Sequence, residues 1–418
     1  MQNAGTWSLV CYMGDGTTGS VSVVQSDNAE ISVKTVPQGA LSGKEGLYKP
    51  LFLGISNNSV VSMDPVSKQI SNSAELAADA FAAYAYREPD SERIWFMNDG
   101  DKKTGNDEIN CGDNGSTVTI ISSADPAQVI KTICVGRGHH VTTAPSASAP
   151  NVPLRAFVSN LKDGSISVVG NDPSDAATYL QVITTISLRD AARDPGDTEI
   201  PNDAFPHGME YSAATGKIYC LNNGYGTIAV IDPLSNTVEQ SIEMEVSSNL
   251  LLSRDGKFVI GKGADRKADP EHVVGRLTVV DMVSGAIEKV IDIPDLYPST
   301  YRFNADGSKL YVTSAATGKD VQRSNLKKAS LFIYDASALP ELALIKEVEV
   351  GTSDCGRRPI AFLEEQGQEP SVFVPNPTDG TLSIIDGSSD TVVHTIKIAD
   401  QAASDFAFSF WGEGIYGA

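Results

Sequence analysis

One phrase recurs along the chain, and it limits the possible folds more than any other feature. It consists of an apolar strand, a turn built on Asp-Gly or an equivalent, a strand ending near Asn or Gly, and an alternating strand ending in Asp. The clearest copy is HGMEYSAATGKIYCLNNGYGTIAVIDPLSNTVEQSIEM, residues 207–244, and others begin near Phe81, His140, Asn249, Thr300 and Pro359. Within each copy Val, Ile, Tyr and Phe alternate with polar residues over about five positions, the mark of a half-buried strand. The third strands read STVTIIS, SISVVGN, TIAVIDP, LTVVDMV, LFIYDAS and TLSIIDG.

A unit of this size cannot bury both of its faces alone, so successive four-stranded sheets must stack around an axis. The expected fold is therefore all-β, a single β-propeller domain over residues 1–418. Two further third strands, GSVSVVQ near Ser20 and SVVSMDP near Ser59, bring the number of blades to eight, and the poor innermost strand of residues 47–76 leaves seven as the alternative. The chain ends in DFAFSFWGEGIYGA, which begins a repeat and lacks its outer strands. The segment TWSLVCYMGDGTTGSVSVVQ supplies them, so the N- and C-terminal strands are expected to pair and close the ring.

The segments LYVTSAATG, AFVSNLKDGSISVVG and IYCLNNGYGTIAVID resemble the YVTN-type propeller repeat of exported bacterial and archaeal proteins, over nearly the whole chain from Phe81 onward. That resemblance implies the fold and an exported protein. It implies no single activity, because the fold hosts hydrolases, electron-transfer enzymes, surface proteins and cofactor-free subunits.

Charge narrows the partners. A formal net charge of -21 argues against binding a phosphate backbone, which requires clustered Lys and Arg. No stretch reaches the roughly 18 apolar residues that cross a bilayer, so no transmembrane segment is expected. The N-terminal MQNAGTWSLVCYMG has no basic region followed by an apolar core, so a secretory signal is expected to be absent from this sequence. Export is inferred from cysteine chemistry instead. Cys111 precedes the third strand of its repeat and Cys134 ends the fourth, so antiparallel pairing sets them at disulfide distance. Such a bridge points to a periplasmic or extracellular location. Cys11 and Cys220 fall on strands as buried thiols, and Cys355 is read as a packed thiol or a ligand.

Antiparallel alternation puts the fourth-to-first and second-to-third connections on one edge of every sheet. The long connections, residues 98–115, 189–206, 263–275 and 315–329, all belong to that set. Long loops gathered on one side of a rigid scaffold are where binding and chemistry are expected. His139 and His140 begin one innermost strand, His207 begins the next, and His272 lies in a loop over the same edge. Imidazole suits copper, zinc, iron or nickel, so these four are candidate metal ligands, with copper the first choice. The same histidines also serve a plainer role as strand caps in a polar channel. The vicinal pair resembles the copper-binding propeller of nitrous oxide reductase, and FMNDG at residues 96–100 adds to it. The later repeats depart from that pattern, with Asn249, Thr300, Arg357 and Asp405 at the corresponding starts, and there is no cupredoxin domain.

Arg357 and Arg358, in CGRRPIAF, precede another inner strand. They are candidates for holding a small anion by forked hydrogen bonds, or for tying blades together. Asn98, Asp99, Asp101, Asn106, Asp107 and Glu108 form an oxygen-rich loop for which calcium is a second metal expectation. His394 is structural. No Gly-x-Ser-x-Gly elbow, phosphate-binding loop, His-Glu-x-x-His helix or haem attachment motif occurs. Two readings follow. One is a binding or scaffold propeller, as a subunit of a redox assembly or alone, that holds a protein partner or a small anionic ligand. The other is a copper-dependent oxidoreductase acting on an anionic substrate.

Overall fold

The computed structural model describes the chain apart from residues 1–9, 16–19, 28–29, 38–40, 45–50, 55–58, 64–66, 68, 77–80, 90, 100–110, 112–114, 126–127, 150, 197, 245–246, 267–270, 317–322, 355, 365–368, 400–405, 412–414 and 418. At His139 and His140, as at some other strand positions, it describes the backbone alone. Every regular element among the described residues is a β-strand, and strands adjacent in sequence pair antiparallel within four-stranded sheets. No helix among the described residues is long and apolar enough to cross a membrane.

The chain divides into two compact units, one of residues 1–73, 263–276 and 291–418, the other of residues 74–262 and 277–290. The second unit holds three complete sheets. Phe81–Arg87, Arg93–Asp99, Ser116–Ser122 and Val129–Val135 form the first; His139–Thr143, Arg155–Asn160, Ser165–Gly170 and Val182–Ser187 the second; Pro206–Ser212, Lys217–Asn222, Thr227–Asp232 and Thr237–Glu243 the third. Asn249–Leu252, Phe258–Asp265, Val274–Asp281 and Ile287–Pro294 make a further sheet of the same order.

In the first unit, Pro298–Phe303, Lys309–Ser314, Ser330–Asp335 and Ala343–Glu349 form one sheet, and Ala361–Leu363, Ser371–Asn376, Thr381–Asp386 and Thr391–Lys397 form another. Leu41–Lys44, Leu51–Gly54, Ser59–Met63 and Ile70–Glu75 form a third. The N-terminal strands Val10–Asp15, Ser20–Asp27 and Glu30–Pro37 take their fourth strand from the C-terminus: Val10 faces Trp411 and Asp15 faces Phe406. The last strand, Ile415–Gly417, adds to the edge of Ala361–Leu363.

Burial explains why the second and third strands of each repeat are the most apolar. All six residues of Ser165–Gly170 are buried, whereas Val182–Ser187 is mostly exposed. Phe157, Ile166 and Val168 pack against Met209, Ile218, Cys220, Ala229 and Ile231 of the next sheet, so both faces of a central strand are covered. Each such side chain is worth roughly 1.5–3 kcal/mol when fully buried.

In three sheets a polar device fixes the edge where the second strand turns into the third. The amide of Asn160 donates to the hydroxyls of Ser165 and Ser167 at 3.1 and 3.0 Å, and that of Asn376 to Thr381 and Ser383 at 2.9 and 2.9 Å. Asn98 does the same to Thr117 and Thr119 at 3.1 and 2.9 Å, across the long 98–115 connection. All three asparagines are fully buried. In the two short copies the turn ends on Gly164 and Gly380, both at φ 62°, a left-handed conformation that glycine adopts without strain.

Candidate functional site

The first strands of three repeats share a bulge. Between His139↔Asn160 and Thr142↔Val158 two residues oppose one, and the same occurs between Pro206↔Asn222 and Met209↔Cys220, and between Pro298↔Ser314 and Tyr301↔Val312. A bulge at this place re-aims the side chains that begin the strand. The first bulged residue is His140, His207 and Ser299 in turn. In the 361–397 sheet Ala361 faces Phe373, and counting back along the same register puts Arg358 at this position. The residues equivalent to the histidines are therefore Ser299 and Arg358, not Thr300 and Arg357 as the sequence phrase suggested. His140 and His207 occupy the same place in neighbouring sheets of one unit. The side chains of His139 and His140 lie outside the described residues.

His207 sits in a defined setting. Gly208 beside it allows close approach of the 249–252 strand, since a Cβ there would come within 2.8 Å of Asn249 Oδ1 and 2.9 Å of the Leu250 nitrogen. Burial pushes the imidazole down to about 4, and the Lys262 ammonium pushes the same way, against a hydrogen bond to the Ser248 backbone. The ring is thus neutral at physiological pH. Lys262 is itself only 9 % exposed, and its carbonyl accepts the Ser248 N–H at 2.7 Å. The positive charge that disfavours an imidazolium disfavours a metal cation equally. Among the described residues no three His, Cys, Asp or Glu side chains lie close enough to hold a metal ion.

Arg358 is fully buried, while Arg357 beside it is exposed. Its Nε donates to the Pro375 carbonyl at 2.8 Å, Nη1 to the carbonyls of Ser314 and Lys328 at 3.1 and 3.1 Å, and Nη2 to the Gly351 carbonyl and Asn376 Oδ1. A guanidinium has five N–H groups, and all five are taken by neutral protein oxygens. Burial holds it down to about 9, with the Asp379 carboxylate opposing, so it stays charged at neutral pH. The expectation that Arg358 grips an anion is corrected on this ground: its donors tie the 361–397 sheet to the 298–349 sheet. Ser299 continues the tie, accepting the Arg358 N–H at 2.7 Å and donating to the Gly356 carbonyl at 3.0 Å.

His272 is half-exposed and is engaged with neighbouring loops. Its Nδ1 lies 2.7 Å from Asp295 Oδ1, and Asn325 donates to the same carboxylate at 2.9 Å and to the Glu271 carbonyl at 3.2 Å. Below them Val273, Ala316 and Leu326 are buried together, with Ala264 and Tyr297 packed on them, and the Arg266 guanidinium stacks 4.5 Å from the Tyr297 ring centre. The described parts of three connections, residues 263–266 and 271–275, 295–297, and 315–316 and 323–329, are thereby joined over a small core of their own. Asp295 holds a left-handed backbone, φ 56°, which Asp adopts more readily than most residues with a side chain.

The 189–206 connection is equally built. Asp194 accepts the N–H groups of Gly196 and Asp203 at 3.0 and 3.2 Å, which hold its carboxyl below the usual range. Asn202 donates to the Gly164 carbonyl at 2.9 Å. Cys111 and Cys134 form a disulfide with Cα atoms 5.6 Å apart. Asn98, counted among the calcium candidates, spends its amide inside the sheet; Asp101, Asn106, Asp107 and Glu108 lie outside the described residues. Cys355 also lies outside them, Cys220 is a buried free thiol, and His394 is on an outer strand facing Ile384. Sequence reasoning passed over Lys262. Its place in the repeat gives no signal: the Met282 N–H bonds the Lys257 carbonyl, so the position matching the four asparagines of other repeats is Gly263.

No protein-family model matches the chain, and no curated protein does. Solved structures do. Hydrazine synthase of Kuenenia stuttgartiensis is 15% identical with a TM-score of 0.53, over 81% of this chain and 92% of that one. Dihydro-heme d1 dehydrogenase NirN, solved in complex with DHE, is 12% identical with a TM-score of 0.62, over 99% of this chain and 76% of that one. A putative 6-phosphogluconolactonase from Bacteroides uniformis is 12% identical with a TM-score of 0.51, over 88% and 99%. At these identities the likeness carries the fold alone, and that fold is the β-propeller.

Proposed function

We propose that this chain is an eight-bladed β-propeller of the YVTN type, each sheet one blade, that works outside the cytoplasm as a binding or scaffold protein rather than as a catalyst. The observation that carries this reading is the cluster around His272, Asp295 and Asn325, where the buried Val273, Ala316 and Leu326 join the described parts of three connections. Loops that are ordered before a ligand arrives lose less entropy on binding. The Cys111–Cys134 bridge supports an oxidising compartment, because such bonds persist where thiols are not kept reduced. As a subunit of a redox assembly, the chain would contribute this surface and no redox group of its own.

The test is cross-linking mass spectrometry on the protein recovered from its native envelope fraction. Cross-links to a partner should map to residues 189–206, 263–275 and 315–329. Cross-links confined to the opposite, third-to-fourth-strand turns such as 232–237 and 281–286 would overturn the reading.

A second reading, a copper-dependent oxidoreductase, is favoured by one finding: the shared bulge gives His140 and His207 the same place in neighbouring sheets. His139, His140 and His207 would be the ligands, and the metal would supply redox chemistry. Elemental analysis of untagged protein decides it. Stoichiometric copper that disappears in a His140→Ala, His207→Ala double variant supports the enzyme, and metal-free protein after copper reconstitution removes it.

A further inference from the structure

Three polar atoms beside the Val273, Ala316 and Leu326 core meet in a triangle. His272 Nδ1 lies 2.7 Å from Asp295 Oδ1 and 2.7 Å from the end of the Asn325 amide, which itself lies 2.9 Å from the same carboxylate oxygen. Hydrogen bonding cannot satisfy all three contacts. With a proton on Nδ1 and the amide nitrogen facing in, Asp295 accepts twice, but two N–H donors confront each other across 2.7 Å. Removing that proton sets the imidazole lone pair against the carboxylate, again at 2.7 Å. Turning the amide so that Oδ1 faces in sets oxygen against oxygen at 2.9 Å. Every arrangement with Asp295 as a carboxylate leaves one contact of like against like.

A cation removes the conflict, because three lone pairs can then share one positive charge. The spacing suits it. Ligands at right angles around a metal, with bonds of about 2.0–2.1 Å, stand about 2.8–3.0 Å apart, whereas tetrahedral ligands stand about 3.4 Å apart. The observed edges of 2.7, 2.7 and 2.9 Å match one face of an octahedron. Other bonds hold the face together: the Lys327 N–H donates to the Asp295 carbonyl at 2.7 Å, Leu296 and Lys327 form a parallel bridge, and Val273 and Leu326, next in sequence to His272 and Asn325, are buried together. The cations nearby are engaged, Arg266 on the Tyr297 ring and Lys327 Nζ with Glu347 at 2.7 Å.

We propose that His272, Asp295 and Asn325 form a site for a six-coordinate divalent cation of the Mn2+ kind, with Asn325 Oδ1 turned toward the ion and water in the remaining positions. An imidazole with a carboxylate and an amide oxygen is a mixed nitrogen and oxygen set, and carboxylate and carbonyl oxygens suit manganese. The third donor is an amide, so the site differs in kind from a cluster of three His, Cys, Asp or Glu side chains. The proposal deepens the binding reading, which rests on this cluster, by naming a ligand for it, and it uses neither His140 nor His207.

The full chain, stripped with EDTA and dialysed, is titrated with manganese chloride at neutral pH and constant ionic strength while electron paramagnetic resonance reads the free ion. One tight ion per chain is expected above the weak, salt-sensitive binding of a protein whose net charge is -21. Bound manganese should show spin-echo modulation from an imidazole nitrogen, and His272→Ala should abolish it. His272→Ala and Asp295→Asn should each weaken the tight binding by at least about ten-fold. Asparagine suits the left-handed backbone at 295, so that variant keeps its fold, and its melting temperature without metal checks this. Asn325→Asp separates a metal site from a hydrogen-bonded cluster: a second carboxylate should tighten manganese several-fold. Absence of tight saturable binding or of nitrogen modulation overturns the site. So do natural affinities in His272→Ala and Asp295→Asn, or an Asn325→Asp variant that binds no tighter. Each of these failures leaves partner cross-links to the same connections standing, and missing cross-links leave the manganese titration standing, so the two readings fail separately.

Discussion

Replacing Arg358 by lysine keeps the charge and most of the volume, and the structure makes it a severe change. The guanidinium satisfies five buried acceptors, the carbonyls of Pro375, Ser314, Lys328 and Gly351 and the Asn376 amide oxygen. An ammonium has three N–H groups, so at least two of these oxygens lose their donor. The Lys328 carbonyl keeps the Ser353 N–H, so at least one acceptor is left unpaired at roughly 1–3 kcal/mol each, and Arg358→Lys should destabilise by about 1–6 kcal/mol. The neighbouring Arg357 is exposed, so Arg357→Lys serves as a control and should stay within about 0.5 kcal/mol of the natural chain. Urea unfolding followed by intrinsic fluorescence measures both. A loss below about 1 kcal/mol in Arg358→Lys would refute the claim that the five hydrogen bonds, and not the charge, make this residue necessary.

Three further outcomes follow from the same structure. The folded His207 ring titrates near 4 and the unfolded ring near 6.5, so between these values the unfolded chain holds a proton the folded one refuses. Stability should then be full above pH 6.5 and fall by about 3 kcal/mol as the pH drops to 4, a slope that His207→Asn should flatten in pH-dependent denaturation. Reducing the Cys111–Cys134 bridge, whose residues are 23 apart, should cost about 3 kcal/mol through the regained freedom of the unfolded loop, read as a lower denaturation midpoint with reductant present. Gly224→Ala would set a Cβ 1.8 Å from the Asp203 carbonyl and 2.7 Å from the Phe205 ring, so the 189–206 connection must lift. About 1–3 kcal/mol of destabilisation and faster proteolysis within that connection are expected, and unchanged cleavage would count against the packing described.

The strands were legible because period-two alternation and the Asp-Gly turns act locally, so each repeat announces itself without reference to its neighbours. The disulfide was legible for a similar reason: Thr117 faces Cys134, and a residue just ahead of that strand has little choice of partner. The functional position was not, because a bulge inserts one residue without altering composition. Counting from the turn lands on Thr300 and Arg357, whereas the register selects Ser299 and Arg358. The role of Arg358 was hidden further, since four of its five acceptors are backbone carbonyls, which every residue possesses. The pairing of His272 with Asp295 and Asn325 joins three loops across 53 residues, a juxtaposition that no local pattern encodes.

The asparagine clip has a consequence for how such a chain can change over time. In each clip the asparagine amide is taken up by two hydroxyls of the same sheet, so most other positions face only a demand for size and greasiness, which many residues meet. Sequences can then diverge until little recognisable text survives while the architecture persists, which is the state of this protein beside its structural neighbours. The same economy lets the 249–294 and 298–349 sheets, with Gly263 and Ser314 at that place, do without the clip and keep the strand order of the others.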